Sequence, residues 1–326
     1  MPANLTPAFL KARERFRAAT SPEEKLAALE EMLATIPKHK GTDKMQADIK
    51  RRIAKLRERQ SHGSRGKGRS EVHVDHEGAG QVTLVGTPCC GKSSLLAALT
   101  NARPEIADYP FSTLRPGPGM MRFEDVSIQL VDLPPLTPEY TESWVYNIIR
   151  DSDLALLLID GATSENPATV LDEYRRLALE RHVLLAVGAA DESGDERTRR
   201  VPCRVVVTKS DLSGARERSS QLAVDPPPVL VSTATGEGLD VLPRAVFDAL
   251  EILRVYTKLP GKPADLHEPY TLPRGSTVLD AARIVHREFV DRLKYVRVWG
   301  SGRFDGQQVP TDHALRDKDI VEIHVH

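Results

Sequence analysis

Apolar positions follow three textures along the chain. In EEKLAALEEMLATI, Leu26, Leu29, Leu33 and Ile36 recur at helical spacing. Ser21 and Glu24 stand three apart, as a capping box requires, and Pro37 ends the run. A second helix is predicted over about 43–59, with Met45, Ile49, Ile53 and Leu56 on one face. The two predict a helical hairpin over residues 1–60. It either packs on the rest of the chain or turns a basic face to RNA. SHGSRGKGRS, 61–70, has no apolar residue to bury, so residues 61–79 read as a flexible basic linker and lead-in.

From Gln81 the texture changes. QVTLVG, VSIQLVD, DLALLLID, HVLLAVG, CRVVVTK and PVLVS are apolar runs of strand length. KSSLLAALT, ATVLDEYRRLALE and LPRAVFDALEIL carry helical periodicity between them. Buried strands alternating with amphipathic helices predict an α/β domain over 80–254, its mixed, mostly parallel sheet covered on both faces. The third texture fills 255–326. RVYTK, EPYTL, KYVRVWG and IVEIHVH predict short strands, and STVLDAARIVHREFVDRL predicts one helix. That is a small α+β module.

Charge alters this picture in one place. The net charge is −1, yet residues 1–70 hold 17 Lys and Arg against 8 Asp and Glu. A polyanion would therefore meet the N-terminal end first. The three cysteines, Cys89, Cys90 and Cys203, are too few for a disulfide framework and fit a reducing, cytoplasmic setting. No apolar run approaches the length of a membrane span, and MPANLTPAFLKARERF lacks a signal-peptide core.

The strongest chemical signal is GTPCCGKS: Gly86, Thr87, Pro88, Cys89, Cys90, Gly91, Lys92 and Ser93, with Ser94 following. It fits G-x-x-x-x-G-K-[ST] between a predicted strand and helix. Backbone N–H groups of such a loop wrap phosphates, and the helix N-terminus favours the anion. Lys92 adds a point charge, and Ser93 offers an oxygen to Mg²⁺. Thr113, in YPFSTLRPG, is the candidate second Mg²⁺ ligand. Asp132, ending VSIQLVD, would hold a Mg²⁺-bound water. TKSD follows as a variant of N-K-x-D. Asp211 can accept two hydrogen bonds from the N1–H and 2-amino group of guanine, a pair adenine lacks. Lys209 can lay its stem over the base. Thr208 takes the usual Asn position with a shorter, local reach. In VSTATGEG, Ser232, Thr233 and Ala234 are candidate contacts for the guanine carbonyl. GTP and GDP are the expected ligands.

These motifs and their order resemble a family. IADYPFSTLRPG, the phosphate loop and the C-terminal module are similar to the Obg-like GTPases. Within that group EEMLATIPKHKGTDKMQADIKRRIAKLRER, RVYTKLPGKPADLHEPYTLPRGSTVLDAARIVHREF and DHALRDKDIVEIHVH resemble the developmentally regulated GTP-binding proteins. The tail resembles their TGS domain, a β-grasp module. The resemblance implies GTP hydrolysis with Mg²⁺, and association with ribosomes, RNA or translation factors. It implies catalytic roles for Lys92, Thr113 and Asp132.

The departures from that family are specific. Its D-L-P-G becomes Asp132-Leu133-Pro134-Pro135, and proline has no N–H to give a terminal phosphate. Leu136 stands where many GTPases carry a water-orienting Gln. The N–H of Leu136 is the candidate replacement donor. Glu139 and Glu142 are nearby carboxylates, expected to be solvated. An inserted subdomain of the family is reduced to the charged DESGDERTRR. Some relatives use Asn at the Cys89 position to hold K⁺, so K⁺ is a weaker candidate here. Cys89 and Cys90 are expected to be a small, buried, inert pair. The hairpin and the TGS module are the candidate docking points for a partner protein or RNA, and no membrane partner is expected.

Overall fold

The computed structural model describes residues 31–32, 35, 72–102, 115–138, 141–188 and 197–326. The chain divides into two units, Met1–Glu71 and Val72–His326. Of the expected hairpin only Glu31, Met32 and Thr35 are described, all in helix, and the rest of it lies outside the described residues.

The second unit carries two sheets. The first is built from β1 (Gln81–Gly86), β2 (Gly117–Phe123), β3 (Val126–Asp132), β4 (Leu154–Asp160), β5 (Val183–Val187), β6 (Arg199–Thr208) and β7 (Val229–Leu230). Its order is β2-β3-β1-β4-β6-β5, with β7 also on β6. All pairs are parallel except the β2–β3 hairpin. β5 pairs the first half of β6 up to Cys203, and β7 takes over at Val206 and Val207.

β4 shows why these apolar runs become central strands. Leu154, Leu156 and Leu158 face one core, and Ala155, Leu157 and Ile159 face the other. A strand buried on both faces has no polar alternation to show. Helices α2 (Ser143–Asp151) and α3 (Pro167–Leu179) cover one face, while α1 (Lys92–Leu99) and α5 (Leu242–Ala249) cover the other. The short α4 (Ala215–Ser220) follows β6.

Some expected elements differ. The helix in LPRAVFDALEIL stops at Ala249, because Ile252 and Leu253 begin β8 (Ile252–Lys258). Glu251 adopts φ 50 at the junction, a left-handed turn out of the helix. The long C-terminal helix is two: α6 (Val278–Val285) and α7 (Arg287–Arg292), parted at His286. His286 leaves helical geometry at φ −161 and its ring accepts from the Glu288 N–H. Strand β2 and helix α2 were not marked by periodicity, since GPGMMRF is rich in Gly and Pro and SWVYNIIRD is short.

The second sheet holds β8 with β9 (Ala264–Pro273), β10 (Leu293–Trp299), β11 (Gln307–Val309) and β12 (Asp319–Val325), ordered β11-β10-β12-β8-β9. β8 and β12 are parallel at the centre and their outer neighbours antiparallel. Helix α6 packs Val278 and Ala281 on one face of this sheet against Leu253, Val255, Val296, Val298 and Val321. Thr277 and Asp280 close a reciprocal capping box at its start. This is the β-grasp arrangement.

The two sheets are joined at β8. Arg254 is 1% exposed and meets Asp317 of its own module. It also meets Glu124 and Asp125, both at 2.6 Å, in the turn between β2 and β3. Its guanidinium lies over the rings of Phe123 and Phe247, at 5.8 and 4.8 Å from their centroids. Tyr256 donates to Asp125, and Lys318 pairs with Glu124 at 2.9 Å. The Lys318 and Arg254 hydrogen bonds hold the Glu124 carboxyl below its ordinary range. Burial pushes Asp125 and Asp317 upward, but hydrogen bonds from Tyr256 and Arg254 to the first, and from Arg254 to the second, outweigh it and leave both lowered. Tyr256 is pushed up to about 12 by burial and by Asp125.

Candidate guanine-nucleotide site

The phosphate loop leaves the C-terminal end of β1 and enters α1. Two residues in it take left-handed φ, Cys89 at 58 and Gly91 at 92. A side chain at Gly86 would meet Cys90 Sγ at 2.5 Å, so this glycine lets the loop fold back on itself. Lys92 is buried, and its Nζ donates to the carbonyls of Gly86 at 3.1 Å and Thr87 at 2.9 Å. Its ammonium thus crosses over the loop. Pro88 and Ser94 are half-buried beside it.

The loop has a support from outside its own segment. Tyr174 of α3 is fully buried, accepts from the Thr87 N–H at 2.8 Å and donates to the Leu158 carbonyl at 3.0 Å. Burial raises its phenol well above the ordinary range, so it stays neutral. In the sequence it is one apolar-face residue of ATVLDEYRRLALE, and nothing marks it as a loop support.

The cysteines are not the buried pair expected. Cys90 is buried, with its thiol pushed up chiefly by that burial, whereas Cys89 at the left-handed turn is exposed. The turn points one side chain outward and its neighbour into the core.

Ser93 and Asp132 are brought together. Ser93 Oγ donates to Asp132 Oδ2 at 2.5 Å, and Asp132 is 1% exposed. Hydroxyl and carboxylate oxygens suit a hard, hydrated cation such as Mg²⁺. Thr113 lies outside the described residues, as does Glu139. Among the described residues no cluster of His, Cys, Asp and Glu could hold a metal by itself.

After Asp132 the chain is pinned. Leu133 and Leu136 are buried in the core under α2, and Pro135 is buried between them. Leu136 N–H donates to the Gly86 carbonyl at 3.0 Å. The donor expected to replace the missing one of Pro135 is therefore engaged by the phosphate loop. Glu142 is exposed and accepts from Trp144 Nε1 at 2.7 Å, as a solvated carboxylate does.

The base-side loops are tied to the same frame. Thr208 Oγ1 donates to the Cys90 carbonyl at 2.7 Å, so its reach is not local: it links the end of β6 to the phosphate loop. Lys209 turns at φ 54 and pairs with Asp160 at 2.6 Å, which fixes the direction of its stem. Asp211 Oδ1 accepts from Ser232 Oγ at 2.5 Å. Ser232, fully buried, accepts in turn from the Ala234 and Thr235 N–H groups, each at 3.2 Å. Thr233 and Ala234 are exposed at the tip of that loop. Glu237 fastens the two loops, accepting from Ser210 Oγ at 2.6 Å and from Arg216. Its own loop is closed by the Ser232 N–H to the Glu237 carbonyl at 2.9 Å.

A phosphate loop on a parallel sheet, followed in order by Asp132, TKSD and VSTA, defines a P-loop GTP-binding protein. Residues 81–188 match the model of the 50S ribosome-binding GTPase family, and residues 253–325 that of the TGS domain. Developmentally-regulated G-protein 1 of Arabidopsis thaliana is 30% identical, over 92% of this chain and 90% of its own. A GTP-binding protein of Methanocaldococcus jannaschii is 29% identical, over 92% of each chain. Human developmentally-regulated GTP-binding protein 2 is 25% identical, over 92% of this chain and 98% of its own. The chain belongs to the developmentally regulated GTP-binding proteins. Among the described residues no helix is long and apolar enough to cross a membrane.

Proposed function

We propose that this chain binds GTP and GDP with Mg²⁺, hydrolyses GTP slowly, and distinguishes the two nucleotides weakly. The observation that carries this reading is the segment after Asp132: a buried Pro135 without an N–H, and a Leu136 N–H already given to Gly86. A hydrogen bond to a charged phosphate is worth about 1.5–3 kcal/mol, or roughly ten- to a hundredfold in affinity. Without that bond, the last phosphate adds little to binding.

The residues take the following roles. Backbone N–H groups of 89–93 bind the phosphates, and Lys92 leaves the loop carbonyls to meet the outer ones. Ser93 and Thr113 would hold Mg²⁺, which would supply charge neutralisation at the phosphates, and Asp132, beside Ser93, would hold a water bound to it. Asp211 reads the guanine edge, Lys209 covers its face, and the loop at Ser232–Ala234 faces the carbonyl. Neither Leu136 nor Glu142 supplies a base, so the attacking water depends on backbone groups or on a partner. Cys89 offers no side-chain oxygen to K⁺, so stimulation by K⁺ is not part of this reading. The chain works in the cytoplasm on a ribosome, RNA or translation-related partner, docked through the N-terminal hairpin or the TGS domain.

A second reading rests on the same pinned segment: an adaptor that binds GTP and hardly hydrolyses it. Single-turnover hydrolysis with and without Mg²⁺ separates them. Slow, Mg²⁺-dependent release of phosphate that Ser93→Ala abolishes supports the first. No release above that of free GTP leaves the adaptor.

A further inference from the structure

The β-grasp sheet has one face closed by α6. The other carries a different set of residues. Along β10, alternate positions Tyr295, Arg297 and Trp299 share that face, opposite His324, Glu322 and Ile320 of β12. Lys258 joins them from β8, with its Nζ 4.2 Å from the Trp299 ring centroid. Tyr295 and His324 stack at 4.1 Å with 18° between their planes. Arg297 is exposed and lies 5.7 Å from the Tyr295 centroid.

The arrangement alternates rings with cations. Glu322 is the one carboxylate among these residues, and it is buried beneath Lys258 and His324, at 3.4 and 2.7 Å. It orients those two groups rather than presenting negative charge outward. Tyr295 and Trp299, four residues apart, stand roughly 13 Å from each other along the strand.

The geometry points to a single-stranded RNA platform on this open sheet face, with bases stacking on Trp299 and on the Tyr295–His324 pair while Arg297 and Lys258 meet phosphates. Lys258 and Arg297 rest over Trp299 and Tyr295, and on turning to the backbone phosphates they would leave those rings to unpaired bases, whose own faces are free to stack. A duplex hides its base faces and would not use the rings. An acidic peptide would use the cations and leave the rings idle. The platform continues into an interface already described: on the same face, Arg254 and Tyr256 of β8 grip the β2–β3 turn. RNA bound here would lie beside the hairpin that ends in Asp132. This inference rests on the proposed RNA partnership for the class of partner only.

The test uses the full chain with GDP, a fluorescent 12-nucleotide uridine strand, and a duplex of equal length. The strand is expected to bind in preference to the duplex. Trp299→Ala should weaken it about tenfold, within the range for one lost base stack. Arg297→Ala, at an exposed site that leaves the fold intact, should lower the slope of log affinity against log salt by about 0.7. Equal binding of strand and duplex, an unchanged affinity and slope in both variants, or displacement of the strand by oligoglutamate without loss in Trp299→Ala would overturn the platform. Ribosome sedimentation of the same proteins separates the two readings. Parent and variants pelleting alike, with oligonucleotide binding unchanged, removes the platform alone. A parent that neither pellets nor binds the strand removes both.

Discussion

The β2–β3 hairpin is held at its two ends by different means. At the Asp132 end one hydroxyl, from Ser93, and one backbone N–H, from Leu136, tie the chain to the phosphate loop. At the Glu124–Asp125 turn a buried arginine, a tyrosine and a lysine from the β-grasp module close around two carboxylates. The first end is small, local and built from groups that a nucleotide can also engage. The second is a charged joint that no ligand need touch. Affinity for nucleotide should therefore depend on one end and the union of the modules on the other.

Substitutions can break that separation. If Asp211 reads the guanine edge as proposed, Asp211→Ala removes two bonds to it, each charge-assisted and worth about 1.5–3 kcal/mol, so GTP affinity should fall at least about a hundredfold. Its urea midpoint should fall by less than this, since the fold loses only the one bond from Ser232 Oγ. An equal loss of stability would mean that Asp211 serves the Ser232 loop more than the base.

Arg254→Met attacks the other end. Removing one partner of a buried ion pair costs about 3–5 kcal/mol, and the low end is expected because the carboxylates keep part of their solvation. Urea unfolding should show the module and the nucleotide domain coming apart, with nucleotide affinity changed less than about twofold. A large loss of affinity would show that the joint reaches into the site.

Tyr174→Phe sharpens the comparison within the nucleotide end. It strips the Thr87 N–H and the Leu158 carbonyl of a buried partner, at a cost of about 1–3 kcal/mol. Stability and nucleotide affinity should fall by comparable amounts, unlike in the two variants above. An affinity equal to the parent's would remove Tyr174 as a support of the loop.

The smallest expected effect is that of acid. Glu124, Asp125 and Asp317 titrate below their ordinary values when folded. Their contribution is complete above the unfolded carboxylate range near about 4 and is lost as pH falls through the folded values. Urea midpoints of the parent should fall below that range, and the fall should be shallower in Arg254→Met. Identical slopes would mean that the joint does not carry the titration.

The two ends were also unequally legible. GTPCCGKS, TKSD and VSTA are contiguous, and each follows a strand, so their positions can be read by eye. What joins them could not. Tyr174 reaches a residue 87 positions away, Glu237 one 27 away, and Arg254 one 130 away. Contacts at such separations leave no periodic trace. As a shortened Asn, Thr208 has only a local reach in the sequence, yet packing brings the Cys90 carbonyl to it. Apolar texture misled where one run serves two elements: Ile252 and Leu253 continue the run of α5 but fold into β8. Pro135 was legible as a missing donor. The use of the neighbouring Leu136 N–H was not, because a backbone bond is independent of side-chain identity.

A segment pinned in this way is expected not to report which nucleotide is present. Calorimetric titration of the full chain with GDP and with a non-hydrolysable GTP analogue, in Mg²⁺, measures it directly. The two Kd values should agree within about fivefold, and Pro135→Gly should open a preference for the analogue. A preference of the parent for the GTP analogue of about a hundredfold or more would contradict the account.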